Sequence, residues 1–247
     1  MKNLKFYVVI LMLAAAASCK KDNSSSVNAK GNVSNDEAAD MVAASISSNF
    51  SGVAEVSADV TVSAQTFTGL HLACGTVKSD SVSRHSSGPR VSYDYKLKYT
   101  YTLNCNGDNL PDNLSSNLSY SGSYDGPNIT STNSGSSSFT VAGLASSAAN
   151  FDINGEYKRT GSFKSKSDTT NTGSSNINIT VSQLKLTKPE RKIMSGSANF
   201  TITGNVPKKG DFSYNGTIQF NGDGTAKLTV NGTVYIVNTE TGEKTRQ

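Results

Sequence analysis

Tryptophan is absent from this chain of 247 residues, histidine occurs twice and cysteine three times. Each shortage closes off some chemistry. With only His71 and His85 available, and no Gly-x-Ser-x-Gly elbow, a Ser-His-Asp centre has no support. The spacing His71-x-x-Cys74 offers two ligands where a structural zinc takes about four. No further His or Cys cluster completes the set, so neither a metal nor another cofactor is expected. Glutamate is confined to Glu37, Glu55, Glu156, Glu190, Glu240 and Glu243. None of these sits where two carboxylates would flank a glycosidic bond, and the chain does not read as an enzyme. An excess of one charge is also missing. The formal net charge of +4 drops to +2 once Lys2 and Lys5 leave with a leader and the amine of Cys19 is blocked. That near-neutral body makes no case for nucleic acid. The local groups Lys164/Lys166, Lys188/Arg191/Lys192 and Lys208/Lys209 read as solvated faces.

Long hydrophobic runs are lacking too, apart from Phe6 to Ala17, which is shorter than the roughly 20 residues that span a bilayer. With Lys2 and Lys5 before it and small residues after it, this run has the layout of a secretory signal peptide. The residue after the small ones is Cys19. The segment Leu13-Ala-Ala-Ala-Ala-Ser-Cys19 resembles the lipobox of bacterial lipoproteins, departing from it at Ala16, where the motif prefers Leu. Lys20-Lys21-Asp22-Asn23 and the serines that follow are similar to the tether of Bacteroidota-type lipoproteins. The resemblance covers the chain only through about Ser26. It implies cleavage before Cys19, two or three acyl chains on that residue, and anchoring in the cell envelope at the outer membrane, periplasmic or surface-exposed. One acyl chain alone binds a membrane only marginally. The expected organisation is a signal peptide over 1–18, a flexible tether over 19–33 and a single β domain with an N-terminal helix over 34–247.

What the chain has in abundance is Ser, Thr, Asn and Gly, roughly two-fifths of its residues, a composition that suits an exported sheet protein with polar surfaces. Ser34 or Asn35 offers an N-cap, Asp36 and Glu37 supply first-turn acids, and Met41, Val42, Ser45, Ile46 and Phe50 follow at helical spacing. One helix is predicted near residues 35–48. From Val53 the period reads as two: Val56, Ala58, Val60 and Val62 alternate with polar residues, and Val91 to Cys105 alternate without a miss. Further strands are predicted near 114–124, 136–143, 150–166, 175–186, 193–206, 210–221 and 225–238, with His85 and Asn221-Gly-Asp-Gly224 in turns. Short turns make antiparallel neighbours. The fold class is therefore all-β, a curved antiparallel meander of about ten strands with one short N-terminal helix.

Glycine recurs in mid-strand on the apolar face, as in Tyr120-x-Gly122-x-Tyr124, Ile153-x-Gly155-x-Tyr157, Tyr214-x-Gly216-x-Ile218 and Val230-x-Gly232-x-Val234. Glycines aligned across strands would let the sheet curl toward that face, giving a barrel or half-barrel. Independent local bulges are the alternative.

Cys74 and Cys105 remain once Cys19 is acylated, and an exported compartment lets them oxidise. A hairpin turning near residue 84 would set Cys105 opposite residues near 63, so a disulfide needs an offset register or a bridge across the concave face; two buried free thiols are the alternative. Tyr93, Tyr95, Tyr99 and Tyr101 share one face and either meet a ligand or fill a core. The function this supports is a non-catalytic binding or scaffold lipoprotein, with a hydrophobic ligand, a glycan or an envelope protein as partner. The alternative is a carrier of lipid or another hydrophobic ligand in the concave face, loosely similar to half-barrel lipoprotein carriers.

Overall fold

A computed structural model describes residues 33–247 except Lys208. The leader, Cys19 and the tether through Asn32 lie outside the described residues, as does Lys208, and Val33 at the end of the expected tether is buried.

The chain enters through helix α1 (Asn35–Ile46). Its start is a capping box. The Ser34 hydroxyl accepts from the Glu37 backbone N–H at 3.1 Å, and the Glu37 carboxylate accepts from the Ser34 N–H at 3.0 Å. Ala38, Ala39, Val42, Ala43 and Ile46 are all buried. A helix that is apolar on nearly every side cannot lie on a surface. After a 3-10 turn at Ser48–Phe50 comes a second helix, α2 (Val53–Gly69), where a strand was expected. Val56, Ala58, Val60 and Val62 fit a period of two. The buried set, however, is Val53, Val56, Val60, Ala64 and Phe67, in steps of three and four, while Val62 is 45% exposed. Valine costs a helix at most about 0.7 kcal/mol per residue, whereas burying one contributes roughly 1.5–3 kcal/mol. Packing therefore overrides the β-branched preference. Between the helices the chain folds tightly back on itself at Gly52, where a Cβ would lie 2.6 Å from the carbonyl oxygens of Ser45 and Ser47.

Eleven strands follow in sequence order, each antiparallel to the next: β1 (Val77–Ser87), β2 (Ser92–Cys105), β3 (Pro111–Asp125), β4 (Ile129–Ala142), β5 (Asn150–Ser165), β6 (Thr172–Thr187), β7 (Ile193–Val206), β8 (Gly210–Phe220), β9 (Thr225–Val230), β10 (Thr233–Asn238) and β11 (Lys244–Arg246). The expected strand 225–238 is two strands, and Gly232 lies in the turn between them at φ +83°. His85 belongs to β1 and not to a turn. The sheet stays open, with β1 and β11 as its edges, so the half-barrel is the arrangement found. Arg90 and Glu243 form an ion pair at 2.6 Å between the β1–β2 turn and the approach to β11.

The core-face glycines act through aromatic partners. They do not stack on one another. Directly opposite Gly122, Gly135, Gly155 and Gly216 stand Tyr95, Tyr120, Phe139 and Phe200. A Cβ on Gly122 would lie 2.3 Å from the Tyr95 ring, and one on Gly135 would lie 2.5 Å from the Tyr120 ring. Each ring lies across the neighbouring strand where that strand has no side chain, which lets a long sheet coil while keeping its core face filled. Both helices pack on that concave face, α1 against β9 and β10, and α2 against β3, β4 and β5. The interior is thus plugged by two helices, one more than the sequence suggested.

Candidate functional site

The cysteines are joined by a disulfide with a Cα–Cα separation of 5.6 Å. The hairpin turns at residues 88–91, since Ser87 pairs with Ser92 and Val77 with Thr102. Extending that register by three residues brings Cys105 level with Cys74. No offset and no bridge across the concave face is needed. Cys74 is exposed and sits after α2, not on the apolar face of a strand.

The four tyrosines part company. Tyr95, Tyr99 and Tyr101 are buried. The Tyr99 hydroxyl donates to Asp59 at 2.5 Å, and Asp59 and Glu55 of α2 both hold Arg84 of β1. Burial, with Asp59 beside it, pushes the Tyr99 hydroxyl well up. Tyr101 stacks on Tyr99 with ring centroids 5.4 Å apart and is pushed up to about 12, chiefly by burial. These rings are core. Tyr93 alone is half-exposed, and it borders a groove of about 580 Å³ at the turn end of β1 to β5.

That groove follows one cross-strand row, Ser86, Tyr93, Tyr124, Ser131 and Phe163. Around it stand His85, Asp94, Asp125 and the hydroxyls of Ser123, Thr130, Thr132 and Thr172. His85 and Asp94 approach to 3.9 Å, both largely exposed. Ser123 lies opposite Asp94 on the far side from His85. The order along the row is His, Asp, Ser, so the imidazole does not stand between acid and hydroxyl as proton abstraction from a serine requires.

One row deeper are Tyr95, Gly122, Asn133 and Gly161. A row beyond that stands Arg159, opposite Gly135 and only 5% exposed. Gly122 and Gly161 leave space on the core face for its long side chain to run along the sheet to Tyr95 and Ser131. Its Nη2 donates to the Tyr95 hydroxyl at 3.1 Å and to Ser131 Oγ at 3.2 Å. Asn133 Nδ2 donates to the same two oxygens at 3.1 and 3.2 Å. Alongside, Tyr120 donates to Tyr157 at 2.6 Å, and Tyr157 to the Ser51 carbonyl at 3.1 Å. Burial pushes Tyr157 up to about 12, against the pull of Arg159. Burial works against the charge of Arg159 while the surrounding Tyr95, Tyr157, Tyr120 and Tyr124 favour it, and the group remains a guanidinium.

Sequence reasoning passed over Arg159 and Asn133. The available signal was parity: Phe151, Ile153, Tyr157, Arg159 and Phe163 share one face of β5, as Ile129, Asn133, Phe139 and Val141 share one face of β4. A charge or an amide in an apolar register is a site candidate.

Elsewhere the expected non-sites keep ordinary roles. His71 is exposed in the turn after α2 at φ +49°. Asp223 of the Asn221–Gly224 turn accepts from the backbone and hydroxyl of Thr225, which closes the β8–β9 hairpin. Among the described residues no three His, Cys, Asp or Glu side chains are grouped to hold a metal ion, and no helix is long and apolar enough to cross a membrane. Comparison with family models, with curated proteins and with solved structures finds no match.

Proposed function

We propose that this chain is a lipid-anchored lipoprotein of the cell envelope that binds its partner without catalysis, through the groove beside Tyr93 and not through the concave face. The observation that carries this reading is the packing of α1 and α2 against the concave face, which covers Tyr95, Tyr99 and Tyr101 and takes up the space a hydrophobic cargo would need. The groove offers a different chemistry. It sets the half-exposed Tyr93 beside the hydroxyls of Ser123, Thr130, Thr132 and Thr172, the carboxylates of Asp94 and Asp125 and the ammonium of Lys164, while the rings of Tyr124 and Phe163 are buried in the core. A groove rich in hydroxyls and charged groups that can meet the hydroxyls of a ligand, with one aromatic residue at its border, favours a glycan. The proposed anchor at Cys19 stands 14 residues before Val33, a reach of at most about 50 Å. Glu37, near the start of α1, accepts from Asn171 Nδ2 in the β5–β6 turn, whose neighbour Thr172 borders the groove. The body thus joins its tether at the end that carries the groove.

The test is native mass spectrometry of the full-length protein, solubilised from its own membranes in a non-ionic detergent, before and after organic extraction. Mass that survives extraction, accounts for the acyl chains on Cys19 and is joined by added oligosaccharide supports the reading. An extractable lipid held apart from Cys19, with no saccharide uptake, refutes it in favour of the carrier.

A further inference from the structure

The register divides the outward face of β2 to β5 into cross-strand rows. Asp94, Ser123, Thr132 and Ser162 stand directly opposite one another in one row. On one side of it runs the row Ser92, Asp125, Thr130 and Lys164, and on the other the row Lys96, Ser121, Ser134 and Thr160. All of these residues are exposed except Ser92 and Thr130, which are half-buried. Neighbouring rows lie two residues apart along each strand, about 7 Å.

The groove beside Tyr93 is the valley between the row of Asp94 and the row of Asp125. A second trough of about 690 Å³ is the valley on the other side, and Asp94, Ser123 and Thr132 border both. Its floor is the strand backbone at Gly122, Asn133 and Gly161. On the core face of that row the sheet closes in, since a Cβ on Gly122 or Gly161 would lie 2.2 or 2.1 Å from the carbonyl oxygen of Asp94 or Thr132. A sheet bent toward its core face at such a row spreads the side chains on its outer face.

Hydroxyls dominate the three rows. Those of Ser121, Ser123, Thr132, Ser134, Thr160 and Ser162 each donate and accept, as the hydroxyls of a sugar do. The charges that line the two troughs balance, with Asp94 and Asp125 against Lys96 and Lys164. Neither sign of ion is therefore drawn in. Each trough crosses four strands, about 14 Å, which suits an oligosaccharide and not a single sugar.

We infer that the two troughs are subsites of one site, whose ligand is an uncharged, branched glycan with its main chain in the groove beside Tyr93 and its branches across the Asp94 row in the second trough. This rests on the groove being a glycan site and adds the second trough to it.

Full-length protein in detergent is titrated calorimetrically with three pairs of neutral oligosaccharides: a xylo-oligosaccharide and its arabinose-branched counterpart, a manno-oligosaccharide and its galactose-branched counterpart, and a linear and a branched gluco-oligosaccharide. Three variants each place an indole on the outward face of β4, where a strand accepts an aromatic residue. Ser134→Trp fills the second trough and Thr130→Trp the first, while Ser138→Trp lies two rows beyond Ser134 and outside both. Their melting temperatures separate a folding defect from a binding defect. One branched ligand is expected to bind at least about tenfold more tightly than its linear partner. Ser134→Trp removes that advantage and leaves the linear ligand as it was, Thr130→Trp weakens both, and Ser138→Trp changes neither. Affinity should move less than about twofold between low and high salt. Equal binding of linear and branched ligands, or an advantage that survives Ser134→Trp, overturns the inference while leaving a glycan groove intact. A steep loss of affinity with salt overturns the uncharged class of ligand. If no oligosaccharide of any pair binds at millimolar concentration, the inference and the glycan reading of the groove both fail.

Discussion

Replacing Cys74 and Cys105 together with serine removes a cross-link whose cost follows from the register. The bond closes a loop of sequence separation 31, and the chain-entropy relation for a loop of that size gives about 3–4 kcal/mol at room temperature. The loop contains all of β1, an edge strand whose one sheet neighbour is β2. Few other contacts hold it: Val82 packs on the core, and Arg84 reaches Glu55 and Asp59 on α2. For a body of this size, each kcal/mol corresponds to roughly 2–4 °C in Tm. The double variant is therefore expected to melt about 6–16 °C lower. Guanidinium titration measures the free energy, and hydrogen exchange resolved by peptide shows where it is lost. Exchange should accelerate in Val77–Ser87 well before it does in β6, which has long neighbours on both sides. A loss below about 1 kcal/mol, or acceleration spread evenly over the sheet, would refute the view that loop closure holds this edge.

Gly52→Ala should destabilise by roughly 1–3 kcal/mol, because its Cβ meets two backbone oxygens that cannot move aside; a chemical melt checks it, and a neutral result would mean that the crossing between α1 and α2 is looser than described. Alkaline titration followed by tyrosinate absorbance should show Tyr99, Tyr101, Tyr120 and Tyr157 silent at the ordinary value of 10. Their folded values lie above the unfolded one, so the stability they contribute is complete below pH 10 and is lost as pH rises toward about 12. Release of several tyrosinates in one cooperative step is expected, and gradual independent ionisation near 10 would contradict their burial. Arg159→Met should raise stability in the absence of ligand by about 1–4 kcal/mol, as replacing buried ionic groups by apolar ones often does. A lowered melting point would mean that the tyrosine oxygens satisfy the guanidinium after all.

Much of the sheet was legible because β2, β3 and β5 to β8 are long and alternate against a single buried face, so the period of two persists over many residues. The signal fades where burial does. β1 carries almost no apolar residue, so the hairpin turn was expected near residue 84 and not at 88–91, and with that shift went the pairing of Cys105 with Cys74. The first half of β4, Ile129 to Gly135, was missed because its core face carries Ser131, Asn133 and Gly135 in place of apolar side chains. That same polar stretch makes room for Arg159. The helix α2 was misread because Val56 and Val60 fit a period of two and a helical step of four at once, and only the wall they pack against selects between them.

The sequence by itself determined the meander, since short polar turns between alternating segments leave no other connection, and it determined the capped helix α1 through Ser34 and Glu37. Its leader also carries the expectation of an anchor at Cys19. Tertiary structure alone decided that the sheet wraps two helices, that Tyr95, Tyr99 and Tyr101 are core while Tyr93 borders a groove, and that Arg159 lies buried without a counter-charge. The physical reason is range. Alternation and capping act between residues a few positions apart, whereas the solvation of a charge depends on which strands, distant in sequence, surround it.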